Sequence, residues 1–504
     1  MDEHALFRQQ VWRNPDDDVP FLIYADWLEE RGQRHEAEFL RLECRLRQAA
    51  PEDPELVDML HRRVELCLSL PSRWLDTHCR YTDSNFWFAD WFNHLSYPSP
   101  TSCLFHYCCH AVAGQRHAQQ ILSRALYRAL VLMSGRTPHS FRALPEIPEL
   151  SDFDMLQLQL LPTQSGSMRG IQGLLRTLSQ LTTPTRWKCL GLQCNQLLPA
   201  LVDLVTELPA YQGIRHFNLS VSGHVLDNEE LGAWQRLCQS NWFGRLCGLY
   251  LHLDYSSPQW ELLLNGGPFP QIRWLDISNH SNNRGISLSL LERLFPNLVC
   301  LRLSCSHLIV DTSALPPGLR YLELSLDHNS ESVLAQCQEK LPMDQLYGIR
   351  LHINDSSSSV LAQFLKHLSG TCLRYLRLRG PAVDSARLLQ TLGSIPQGQH
   401  LGYLAVSSSS WREQSELAPA TVDRLLRRWK MPQLRHLTLG GFSLPDSIGD
   451  VLASDRFPQL RLVDLQNCEI EADAKPRNKP AATAASGPYP YIILWPTQVN
   501  KRGS

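Results

Sequence analysis

Leu319-Arg-Tyr-Leu322-Glu-Leu324-Ser-Leu-Asp327 is the stretch whose reading decides the fold. Leu319, Leu322 and Leu324 follow the spacing apolar, two residues, apolar, one residue, apolar. In an extended strand successive side chains point to opposite faces, so Leu322 and Leu324 share one face while Tyr321, Glu323 and Ser325 share the other. Asp327 stands three residues past the last apolar position, where the chain has to turn off the strand. A short polar side chain there can satisfy backbone groups that the turn would otherwise bury without a partner.

The same pattern recurs on both sides of this stretch. Upstream it reads Phe153-Leu156-Leu158, Trp187-Leu190-Leu192, Ile214-Phe217-Leu219, Leu246-Leu249-Leu251, Ile272-Leu275-Ile277 and Leu298-Leu301-Leu303. Downstream it reads Leu346-Ile349-Leu351, Leu373-Leu376-Leu378, Leu401-Leu404-Val406, Leu434-Leu437-Leu439 and Leu460-Val463-Leu465. The twelve copies recur about every 28 residues, a period that suits a unit of one strand and one helix. The turn position holds Asn195, Ser222, Asp254, His280, Ser306, Asp327, Asn354, Ser409 and Cys468 in nine copies, and Leu161, Pro381 and Phe442 in the other three. Between strands lie amphipathic stretches, among them 287–295, 360–368 and 421–429, with apolar residues at helical spacing. Pro296, Gly318, Pro432 and Pro458 stand before the next strand as helix stops.

These motifs resemble the leucine-rich repeat family, of the longer-repeat kind. The resemblance covers about residues 150–470. It implies an α/β leucine-rich repeat solenoid with parallel strands on the concave face and helices on the convex face.

The head has its own signature. Residues 2–13, 21–28, 36–48 and 55–70 read as four short helices, with Arg31-Gly32 ending the second and Pro71 the fourth. The string from Asn14 to Gly32 (NPDDDVPFLIYADWLEERG), followed by Ala37-Glu-Phe-Leu-Arg-Leu42, resembles the repeat-companion domain found at the N-termini of planctomycete, Gemmata-type repeat proteins. That family implies no activity. Tyr24, Asp26, Trp27 and Arg31 match its most distinctive positions, either as packing and capping residues or as a docking face with Asp26 and Arg31 exposed. The resulting division is a small N-terminal α-helical domain over 1–80, an aromatic- and Cys-rich cap or degenerate repeat over 81–150, repeats over 151–470, and a linker with an apolar tail over 471–504. His117 to Met133 reads as a helix. The tail segment from Tyr489 to Pro496 reads as a cover for the last coil or a short docking peptide.

Composition narrows the function. With 43% hydrophobic and 19% charged residues, the 504-residue chain has the balance of a folded protein or repeat array. Its formal charge is −2, so no global pull toward nucleic acid or an anionic membrane is expected. Residues 1–80 carry 11 Arg, no Lys and 17 acids, so the head is acidic and the rest is close to neutral. The charged N-terminus and the lack of a long apolar run give no secretory or membrane-spanning signal. The fifteen Cys sit mostly inside hydrophobic patterns, as reduced thiols would, and a cytoplasmic location is expected.

Cys103, His106, Cys108 and His110 form the one set of metal-ligand types, and a metal-binding protein or enzyme centred there is the alternative reading. The spacing fits zinc loosely, and buried thiols in an aromatic-rich helix compete with it. No phosphate-binding glycine loop, nucleophile elbow or His-Glu-x-x-His is present. No catalytic residue or cofactor is expected.

The face opposite the leucines is where binding is expected. One row holds Trp274, Tyr321, Tyr375 and Tyr403, and the next holds Asp276, Arg302, Glu323, Arg350 and Arg377, with His352 and Arg379 beside them. Tyr, Trp and Arg are enriched at binding hot spots. The positive sign around Arg350, His352, Arg377 and Arg379 points to a partner protein with an acidic surface. A charge ladder that stabilises only the sheet is the competing reading. With all these positions in solvent, changing Arg350, Arg377 and Tyr375 together to Ala is expected to remove partner capture while leaving the melting temperature nearly unchanged.

Overall fold

The computed structural model describes residues 3–13, 17–49, 104–107, 129–133 and 155–160 and, with short gaps, 187–253, 266–279, 285–470 and 491–494, together with single positions between 53 and 70 and between 175 and 180. Every one of the twelve motifs carries a strand. Alternation explains why: the second and third apolar positions of each motif are two apart and can bury on one face together.

The chain divides into two units, Met1–Asn279 and His280–Ser504. In the first unit seven strands pair in parallel and in sequence order: β1 (Leu104–Tyr107), β2 (Ala129–Met133), β3 (Met155–Leu160), β4 (Cys189–Cys194), β5 (His216–Val221), β6 (Gly248–Leu253) and β7 (Trp274–Asn279). In the second unit eight do the same: β8 (Cys300–Cys305), β9 (Tyr321–Leu326), β10 (Gly348–Ile353), β11 (Tyr375–Arg379), β12 (Tyr403–Ser407), β13 (His436–Gly440), β14 (Leu462–Gln466) and β15 (Tyr491–Leu494). The pairing continues just before each strand, where Tyr347 N–H donates to Arg320, Arg374 N–H to Tyr347, Gly402 N–H to Arg374 and Arg435 N–H to Gly402. Each coil thus hydrogen-bonds its neighbour, as parallel strands joined by helical crossovers must.

Helices alternate with the strands. The head has α1 (Glu3–Arg13), α2 (Val19–Glu30) and α3 (Arg34–Gln48), and the rest of the first unit adds α4 (Pro199–Glu207) and α5 (Asn228–Gln239). The second unit has α6 (Leu288–Leu294), α7 (Ser330–Lys340), α8 (Ser358–His367), α9 (Ala386–Leu392), α10 (Pro419–Leu426) and α11 (Ile448–Leu452), with consecutive members from α7 to α11 packed side by side. Leu322, Leu324, Ile349, Leu351, Leu376 and Leu378 are buried on the leucine face.

Two local devices hold this stacking. The indole N–H of buried Trp429 donates to the Leu389 carbonyl at 2.8 Å, tying the end of one crossover to the helix before it. Gly380, with φ of 152°, ends β11. A Cβ there would collide with the Ile353 carbonyl oxygen of the neighbouring coil, so only glycine fits.

Two expectations need correction. The helix expected over His117 to Met133 gives way to strand β2 at Ala129–Met133, whose Ala-Leu-Val-Leu-Met run is short and apolar on both faces. The helix expected around Cys103 to His110 gives way to β1 at Leu104–Tyr107. The aromatic run 86–92, eight of the nine polar turn positions and the 471–488 linker lie outside the described residues. The turn residue that is described, Cys468, donates its thiol to the Leu439 carbonyl of the preceding coil at 3.3 Å. Burial pushes that thiol up to about 12.

Candidate functional site

The candidate face of the second unit is built by register. Parallel pairing sets Glu323 between Arg302 and Arg350, Arg350 beside Arg377, and His352 beside Arg379. Neighbouring strands are about 4.8 Å apart, so these side chains meet laterally. One Glu323 carboxylate oxygen lies 3.3 Å from Arg302 Nε and the other 3.3 Å from Arg350 Nε. The Glu323 side chain is 5% exposed, that of Arg350 13% and that of Arg302 30%. The row therefore reads plus, minus, plus, and Arg377 follows it at 4% exposure.

Charge accumulates past Arg350. Burial, and then the nearby Arg350 guanidinium, holds Arg379 below its ordinary value. Two like charges are thus held near each other in partial shelter from water. His352 Nδ1 lies 3.2 Å from the Ser325 hydroxyl. Arg379, His352, Ser325 and Ser407 are half-buried and form the accessible row of this face.

The aromatic row departs from expectation. Tyr321, Tyr375 and Tyr403 lie on the predicted face but are buried, at 1%, 0% and 2% exposure. The cause is their own stacking. The Tyr375 and Tyr403 rings are 4.3 Å apart and within 10° of parallel, and His436 meets Tyr403 edge-on at 4.5 Å. At that spacing no water fits between rings. Burial first, with Tyr403 beside it, pushes the Tyr375 hydroxyl well above the ordinary tyrosine value. Gly348 interrupts the row between Tyr321 and Tyr375, and Tyr321 packs on Tyr347 instead.

Trp274 and Asp276 belong to the first unit. Both are buried there, Trp274 with its ring 5.5 Å from that of His216. The expectation of a solvent-facing aromatic stripe is therefore corrected: Trp274, Tyr321, Tyr375 and Tyr403, together with Asp276, Glu323 and Arg377, are sealed by lateral packing. Arg302, Arg350, His352 and Arg379 keep access to solvent. With Tyr375 and Arg377 buried, their removal is expected to lower the melting temperature rather than leave it nearly unchanged.

The head carries a second constellation. Tyr24, a core residue, places its hydroxyl 2.6 Å from His4 Nδ1, and Phe7 stacks on its ring at 5.4 Å. The Arg31 guanidinium lies 3.8 Å over the Trp27 ring and bonds Glu3 at 2.6 Å. Arg41 bonds both Asp26 and Glu29 at 2.6 Å. Tyr24 and Trp27 thus pack in or against the head core and Arg31 closes α2, while Asp26 is exposed and ion-paired with Arg41 and Arg31 is exposed as well. The reading from sequence passed over Val19, Leu22 and Ile23, which stand exposed on α2. The unbroken non-polar run 19–25 was the available signal, since one buried face does not need it.

Among the described residues no cluster of three or more His, Cys, Asp or Glu could hold a metal ion. Cys103, Cys108, Cys109 and His110 lie outside them. No helix among the described residues is long and apolar enough to cross a membrane.

No family model matches the chain, and no curated protein matches it. Among solved structures, the chain is similar to a Bacteroides fragilis protein at 13% identity and a TM-score of 0.36, over 54% of this chain and 70% of that one. It is also similar to a chain of the Toll–Spätzle complex of Drosophila at 12% identity and a TM-score of 0.28, over 73% of this chain and 51% of that one. Likenesses this distant carry no argument about function.

Proposed function

We propose that the chain is a cytoplasmic leucine-rich repeat protein with a repeat-companion head, and that it works without catalysis by binding a partner protein that presents acidic side chains. The contact is made by Arg302, Arg350, His352 and Arg379 of the second unit. The observation that carries the reading is half-buried Arg379, in register beside His352 and on the same sheet face as Arg350 of the neighbouring strand, while Glu323 already answers Arg302 and Arg350. Sheltered like charges gain from an arriving carboxylate more than exposed ones do, because less water screens them. Guanidinium groups also bind carboxylates through two parallel hydrogen bonds. The regular backbone ladder beneath them supports the reading, since a face that is already ordered gives up little entropy on binding.

The test uses the full chain with Arg379→Glu, and Arg461→Glu, an exposed site just before β14, as the control, with the wild type beside them and equal urea melts checking that all are folded. A partner captured from native extract should be lost from the Arg379 variant, retained by the control, and released by raised salt. Equal capture by all three proteins would overturn the proposal.

A further inference from the structure

Helix α2 is apolar on two sides at its start. Phe21, Tyr24, Ala25 and Leu28 fill the head core. On the other side Val19 is 58% exposed, Leu22 40% and Ile23 53%. Positions 19, 22 and 23 are three and four residues apart and share one helix face. The same face continues through Asp26 and Glu30, both exposed. It is therefore a stripe with an apolar first half and an acidic second half. A surface helix needs only one buried side, and a helix apolar all round calls for contact on both.

We propose that this face of α2 docks a basic amphipathic helix of a partner protein. Charge decides the occupant. Asp26 and Glu29 share the single guanidinium of Arg41, and Glu30 stands beside them. Residues 1–80 carry 17 acids against 11 Arg. A second copy of this face has no basic half to offer in either orientation, since it would set acid against acid when parallel and acid against apolar residues when antiparallel, and an anionic lipid surface would be repelled by the acids. A helix with leucine-like residues at one end of its stripe and Lys or Arg at the other meets both halves at once. The patch is small, so the contact is a transient one.

The test is fluorescence anisotropy with the full chain and a labelled synthetic Leu/Lys helix, whose one stripe carries Leu in one half and Lys in the other, compared with a Leu/Glu counterpart in which Glu replaces each Lys. The Leu/Lys peptide should bind and the Leu/Glu peptide should not. Leu22→Ser with Ile23→Ser should weaken binding about tenfold or more, through lost apolar burial. Glu30→Lys should weaken it too, through charge. Both variants change exposed side chains, and unchanged circular dichroism checks that they fold. Equal affinity for the two peptides, no binding of the Leu/Lys peptide, or binding indifferent to these changes would overturn the proposal. So would a chain that sediments as a dimer until Leu22 and Ile23 are replaced, which assigns the face to a second copy. Wild-type capture by phosphatidylserine vesicles that the double serine variant loses would overturn it in favour of a membrane surface.

Discussion

Tyr375 and Tyr403 lie ring on ring at 4.3 Å and fully out of water, so their contribution is to stability first. Removing a buried aromatic side chain costs about 3–5 kcal/mol. Tyr375→Ala should destabilise the second unit by that amount in a urea melt, whereas Arg379→Ala, at a half-buried site, should change it little. Glu323 poses a different question. A carboxylate between two guanidiniums gives up hydration that the attraction only partly repays, so the trio adds little to net stability. Breaking it is costly all the same, because Arg350 would keep its shelter and lose its counter-charge. Glu323→Ala should cost about 3–5 kcal/mol, and a double-mutant cycle with Arg350 should show strong coupling in the same melts. Tyr211 carries the opposite expectation. Its hydroxyl is buried with no hydrogen-bond partner among the described residues, and burial pushes its ionisation far up. Tyr211→Phe should therefore leave the first unit as stable or raise its stability by about 1–2 kcal/mol in a urea melt.

At the scale of the element, helix α6 supplies a pH prediction. Ser287 caps it by accepting from the Leu290 N–H, and the Ser287 and Ser289 hydroxyls and the Ser289 N–H all donate to Asp311. Burial pushes the Asp311 carboxyl up, but these hydrogen bonds together outweigh it and hold the group below the ordinary aspartate range. A carboxyl depressed in the folded state stabilises above its unfolded value, near pH 4, and the contribution is lost as pH falls through the folded value. Asp311→Asn should thus be less stable than the parent at pH 6, and the gap should close below about pH 4. A gap that persists unchanged to pH 2 would contradict the assignment. Among the elements, the strands were legible and their outer faces were not. Two-residue alternation with leucines on one side is a local pattern, and local pattern suffices to place a strand. Exposure of Tyr375 is not local. It depends on Tyr403, 28 positions later, arriving in register beside it, and on Gly348 leaving a gap on the other side. The same limit hid β2, whose apolar run carries no alternation to separate strand from helix. In the head, the end of α2 was legible because Arg31-Gly32 closes it, with Gly32 at a φ of 77°. Its exposed apolar side was not singled out, because periodicity marks a core face more readily than a second, unpartnered one.

At the scale of the whole molecule, each unit stacks its coils so that equivalent positions lie side by side. The outer row of the second unit offers the most direct measurement, since Ser325 and His352 are register partners on neighbouring strands and are both accessible. Parallel neighbours place Cα atoms about 4.8 Å apart, inside the range a disulfide spans. Ser325→Cys with His352→Cys should form that disulfide under mild oxidation, read by peptide mass spectrometry. Ser325→Cys with Arg379→Cys, two strands apart, should not. Cross-linking of the second pair in preference to the first would contradict the stacked register.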